Sequence, residues 1–155
     1  MSFIVSGLPL DAFQPLFGLD DAALAAHGAV RRTAAAGGRY PCRVTLEDAP
    51  AGESVLLINY EHQSAPTPYR SNYAIYVREA ASATRRFRGE LPPVLRGRPI
   101  ALRAFDADGM LIAAELALAD DVAAVIEKQF ADPRAAYLHA HNAAHGCFAA
   151  RIDRA

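Results

Sequence analysis

Hydrophobic and polar positions alternate along much of the chain, a pattern that predicts strands more often than helices. "FIVSG" at 3–7 reads as a first strand closed by Gly7 and Pro9, and "DAFQPLF" as a helical turn kept short by Pro15. In "LDDAALAAHG" a helix is expected, with Asp20 capping the first turn, Asp21 at the positive dipole end and Gly28 at the left-handed stop. "AVRRTAA" follows as an outer strand. In "PCRVTL", Cys42, Val44 and Leu46 alternate with Arg43 and Thr45 as on a half-buried strand. The unbroken run Val55, Leu56, Leu57, Ile58 marks a strand covered on both faces, the candidate sheet centre, and "NYAIYVRE" is a further strand.

Residues 80–99 predict one short helical piece after Pro93. "PIALRAFDADGMLIAAEL" is a hairpin whose Asp108-Gly109 favours a two-residue type I′ turn. "DDVAAVIEKQF" sets Val122, Val125, Ile126 and Phe130 on one helical face behind an Asp120 cap, and this helix can form a parallel crossover between the strands around it. The expected fold class is α+β: a single domain over 1–155, with a largely antiparallel sheet of about eight strands built from hairpins and two or three short helices on one face.

The last stretch, "YLHAHNAAHGCFAARIDRA", carries three of the chain's five histidines. Period two puts Tyr137, His139 and His141 on one face of its first strand, with Ala136, Leu138 and Ala140 on the other. In the second strand Cys147, Ala149, Arg151 and Asp153 stand against Phe148, Ala150 and Ile152. If the two pair through "NAAHG", with Gly146 left-handed in a three-residue loop, Tyr137, His139, His141, Cys147, Arg151 and Asp153 share one surface.

Three chemistries fit that surface. His139 and His141, about 7 Å apart as neighbours along one strand face, can turn their rings toward a metal ion, with His145, His62 or Cys147 as third ligand. Cys147 can be a nucleophile whose proton passes to His139 or His141, with Cys42 a second thiol. The histidines can also simply satisfy backbone groups under a loop. Tyr60 and His62 share a face where an apolar strand turns polar, and Tyr69 and Arg70 begin an aromatic and guanidinium cluster able to hold a carboxylate or phosphate. "DADG" lacks the later ligands of a calcium loop and is read as a turn.

Composition narrows the partners. With 52% hydrophobic and 21% charged residues the chain is an ordinary globular domain, and a net charge of −1 gives no pull toward nucleic acid. No window approaches the roughly 18 apolar residues of a membrane span. The N-terminus lacks the basic start and cleavage pattern of a secretory signal, so a cytoplasmic setting is expected, with Cys42 and Cys147 as free thiols. Six arginines against Glu90 between 85 and 103 carry no function by themselves.

The set "FQPLFGLDDAALAAHGA", "YPCRVTLEDAPAGESVLLINYEHQ", "TPYRSNYAIYVRE", "LRAFDADGM" and "DPRAAYLHAHNAAHGCFAARIDR" resembles the uncharacterised bacterial family called domain of unknown function 1203. The resemblance implies a small stand-alone bacterial protein and brings no activity or cofactor with it. It groups Cys42, Arg43, Tyr60, His62, Tyr69, Arg70, His139, His141, Asn142 and Cys147 without assigning roles.

The leading expectation is an enzyme or binding domain for a small anionic molecule. In it His139, His141 and Cys147 are catalytic, and Cys42, Arg43, Tyr60, His62, Tyr69, Arg70, Tyr137, Asn142 and Arg151 bind the ligand. A protein-interaction module is the second reading and a metalloprotein the third.

Overall fold

A computed structural model describes residues 2–155. The architecture is α+β, its named strands all paired antiparallel and divided into a six-stranded and a three-stranded sheet instead of one sheet, with an isolated parallel bridge from Cys42 to Tyr76. The large sheet comprises β1 (Phe3–Ser6), β5 (Arg86–Arg88), β6 (Ile100–Phe105), β7 (Leu111–Ala117), β8 (Tyr137–Asn142) and β9 (Phe148–Arg154), in the order β5-β1-β9-β8-β6-β7. The small sheet is β2 (Ala29–Thr33), β3 (Ser54–Gln63) and β4 (Ser71–Arg78), with β3 central as its apolar run predicts.

The helices are shared between the sheets. Helix α1 (Asp21–Ala26) is capped by Asp20, whose Oδ1 accepts from Ala23 N at 2.8 Å, and buries Leu24 with Ala29 and Leu56. Helix α2 (Val122–Phe130) packs Val122, Ile126 and Phe130 with Leu102, Leu138 and Ile152 of the large sheet. Strands β7 and β8 both pair antiparallel with β6, so they run parallel to each other and α2 is the crossover between them. With one face of the large sheet under α2, its opposite face is left to meet the small sheet.

Three local expectations are corrected. Segment 41–46 is no regular strand: an isolated Pro41 to Asp48 bridge closes a tight loop, and Leu46 N bonds Cys42 O at 2.9 Å. Its alternation misleads because Cys42 and Val44 join one core while Leu46, at φ 58°, joins another. Helix α2 begins after Asp121, and neither it nor Asp120 makes a side-chain cap bond. In the β6–β7 turn Gly109, not Asp108, takes positive φ, because Asp106 Oδ1 accepts from the amides of Asp108 and Met110 at 3.0 and 2.9 Å. The loop is therefore a type I turn followed by a left-handed glycine.

Candidate functional site

The site is built by cross-strand register. Arg151 of β9, His139 of β8, Arg103 of β6 and Ala114 of β7 are successive partners, forming one row across the large sheet. The row on one side is Asp153, Tyr137, Phe105 and Leu111; on the other it is Phe148, His141, Ala101 and Leu116. His62, at the irregular end of β3, reaches this face from the small sheet and stacks on Phe148 at 5.4 Å with 12° between the planes. Three imidazoles thus meet in the seam: His62 lies 5.0 Å from His141 and 6.2 Å from His139, ring centre to ring centre.

These rings line a cavity of about 320 Å³ together with Tyr69, Arg70, Arg103 and Phe105. Burial, reinforced by His141 and Arg151, holds His139 down to about 3, and burial holds His141 to about 4. Both are neutral near pH 7. His141 Nδ1 lies 2.9 Å from the carbonyl of Gly146, which can only accept, so the proton sits on Nδ1 and leaves Nε2 a free lone pair. The Nδ1 atoms of His62 and His139 are buried and have no hydrogen-bond partner. Burial also lowers the pKa of Arg103, and among the described residues its guanidinium has no carboxylate or hydrogen-bond partner. Arg70, by contrast, is held by Glu61 at 2.6 Å.

Tyr137 supports the wall, stacked on Phe105 at 5.4 Å and accepting from Gln63 Nε2 at 3.0 Å. Arg151 lies 4.0 Å over the Tyr137 ring and pairs with Asp153 at 2.9 Å, so its charge is already matched. No group of three or more His, Cys, Asp or Glu among the described residues is placed to hold a metal ion.

Cys147 does not join the histidines. β9 carries an extra residue, Ala149, between the pairs Ala140–Ala150 and His141–Phe148, and the parity flips there. Phe148 takes the place on the histidine face that alternation gives to Cys147. The loop spans four residues, with Asn142 N bonded to Cys147 O at 2.9 Å and Gly146 left-handed at φ 74° as expected. Cys147 lines a separate cavity of about 790 Å³ with Arg43, Asn142 and His145, and neither His145 nor Cys147 lines the histidine cavity.

Arg43, 2% exposed, donates Nε to Phe148 O at 2.7 Å, Nη1 to Pro41 O at 2.6 Å and Nη2 to Cys147 Sγ at 3.1 Å. Cys42 is fully buried, its sulfur accepting from the amides of Thr45 and Arg78 at 3.4 and 3.3 Å. Tyr60 is half-buried against Phe13 at 5.6 Å, and burial raises its pKa. Neither Cys42 nor Tyr60 lines the histidine cavity.

The family model described as protein of unknown function (DUF1203) matches residues 39–154. The chain belongs to the DUF1203 family. Every residue that lines the histidine cavity of this DUF1203 chain falls within the matched span, whereas β1, α1 and β2 precede it. No curated protein and no solved structure matches it.

The main residue that sequence reasoning missed in the DUF1203 site is Arg103. Its signal was present: in "PIALRAF" Ala101, Arg103 and Phe105 alternate against Ile100, Leu102 and Ala104, which exposes an arginine on the face opposite the helix-side core.

Proposed function

We propose that this DUF1203 chain binds a small anionic molecule in the histidine cavity, with Arg103 as the anchor and His139 and His141 as hydrogen-bonding and proton-transfer partners. The observation that carries the reading is the half-buried guanidinium of Arg103, unpaired among the described residues, beside a cavity. Desolvating a cation without a counter-ion is costly, and such a group is retained where a ligand supplies the charge. Neutral imidazoles beside it add donors and acceptors without competing charge, and an anion bound at Arg103 would raise their basicity by offsetting the neighbouring positive field. The free thiols Cys42 and Cys147 support a reducing, cytoplasmic setting. Among the described residues no helix is long and apolar enough to cross a membrane.

The test is a thermal-shift and calorimetric panel of small anions, with chloride as the counter-ion control, against the wild type and Arg103→Met. Binding of at least one carboxylate or oxyanion is expected in the wild type, weakened tenfold or more in Arg103→Met. The variant should fold with unchanged or slightly raised stability, because it removes an unpaired half-buried charge. Equal binding by both proteins, or by neither, sinks the reading.

A further inference from the structure

We infer that the anion held in the histidine cavity is a monocyclic aromatic carboxylate, its ring among Phe105, Tyr69 and His139 and its carboxylate on Arg103. This rests on the proposed role of Arg103 as an anion anchor and adds to it the class of anion.

Charge comes first. Two arginines line the cavity, but Glu61 pairs with Arg70 at 2.6 Å, which leaves the guanidinium of Arg103 as the cation without an ion-pair partner among the described residues that line it. His62, His139 and His141 all have lowered pKa values, chiefly through burial, and add no positive charge near neutral pH. One unmatched cation calls for a monoanion, and a planar carboxylate fits the two parallel N–H donors of a guanidinium. A phosphate dianion or a polyphosphate would bring more charge than the walls can balance.

Size and surface narrow the class further. A volume of about 320 Å³ lies at the small end of the roughly 300–1,000 Å³ found for small-molecule pockets. Acetate or formate would leave most of it empty. Five of the twelve residues that line it carry aromatic or imidazole rings, and these pack on one another: Tyr69 sets its edge to Phe105 at 6.4 Å and 74°, and His139 lies 5.1 Å from Phe105. Leu111 and Ala114 complete an apolar floor beside Arg103. Uncharged rings among the lining residues favour a flat ring in the cavity, through offset or edge-to-face contacts.

His139, 3% exposed, lines this cavity with Nδ1 unpartnered, and His141 lines it with the Nε2 lone pair left by its bond to Gly146. A ring substituent that donates a hydrogen bond, such as a phenolic hydroxyl, meets that acceptor.

The experiment is isothermal titration at pH 7.5 with benzoate, 4-hydroxybenzoate, cyclohexanecarboxylate, acetate and inorganic phosphate, using the wild type, Arg103→Met and Tyr69→Ala. Expected are affinities for the two benzoates at least tenfold above acetate and phosphate, and threefold or more above cyclohexanecarboxylate. Arg103→Met should lose all of them. Tyr69→Ala changes a residue that is 38% exposed, so it should keep the fold, read as an unchanged urea midpoint, while losing much of the preference for benzoate over acetate. Arg103-dependent binding of acetate or phosphate with no gain for benzoate overturns the aromatic class and leaves the anion reading standing. Benzoate no better than cyclohexanecarboxylate overturns the aromatic part likewise. Absence of all binding to the wild type overturns both.

Discussion

Arg43 is the largest of the fully buried side chains, and among the described residues no carboxylate hydrogen-bonds or ion-pairs with it, although Asp48 acts on its charge from farther away. Two backbone carbonyls and the sulfur of Cys147 take its donors. Burial lowers its pKa, and Cys147 is the first group acting in the opposite direction. Asn142 Nδ2 also points at that sulfur, at 3.4 Å, so Cys147 Sγ receives two donors and holds the loop 143–146 to the buried arginine. Cys147→Ala would strip Nη2 of its acceptor inside the protein, where a buried unsatisfied donor costs about 1–3 kcal/mol, more when charged. Cys147→Ser keeps an acceptor and should recover most of the loss. Urea unfolding of the three proteins decides it, since equal midpoints for Ala and wild type would show that the sulfur carries no such weight. The family resemblance grouped Arg43 with Cys147; what it could not convey is that the pair is a buried structural contact beside its own cavity.

At the scale of elements, the face with Tyr137, His139, His141 and Arg151 was legible because period two holds wherever strands pair regularly. It failed at Ala149. Ala149 and Ala150 both sit in the helix-side core at 1% exposure, which two small side chains permit and which no alternation marks. The same limit applies to Pro41–Leu46, where a tight loop buried on all sides imitates a strand because every position is inside. Arg103 was readable in principle, but only once β6 was known to pair with β8.

Turn chemistry gives an element-scale prediction. Gly109 sits at φ 83°, and a Cβ added there would clash with the Cβ of Ala65, in the loop that runs past Tyr69 at the cavity wall. Thr67 Oγ1 also donates to Gly109 O at 3.2 Å, so the β6–β7 turn and that loop are one packed unit. Gly109→Ala therefore combines left-handed strain with a displaced loop. It should cost about 1–3 kcal/mol in unfolding free energy and weaken anion binding in parallel. A loss of stability with unchanged affinity would show that the loop adjusts without disturbing the cavity.

For the whole molecule, the histidine seam joins two sheets and so makes folding sensitive to acid. The unfolded chain protonates His139 and His141 near pH 6.5, whereas the folded protein resists until about 3 and about 4, first because of burial and then because of neighbouring positive charge, from His141 at His139 and from Arg103 at His141. Between those limits the unfolded state binds more protons, so stability is fully present above about 6.5 and falls as the pH drops. His62, also lowered mainly by burial, acts in the same direction.

Acidic groups run on a different scale. Glu79, held at about 2 chiefly by Arg31, starts to lose its contribution only below its unfolded value of 4.5. The interval from pH 6.5 to 5 therefore isolates the imidazoles. There each buried histidine should remove up to about 1.4 kcal/mol per pH unit, the most once the unfolded chain is fully protonated. His139→Phe separates the group from the background. Its surroundings are Phe105, Tyr137 and Phe148, each ring centre within 5.2 Å, and the substitution removes a buried Nδ1 that has no partner. At pH 7.5 the variant should match or exceed the wild type in urea, and at pH 5 it should exceed it by about 1–2 kcal/mol, with a shallower slope between. Parallel pH profiles for the two proteins would place the acid sensitivity elsewhere and show that His139 takes up its proton without opening the seam.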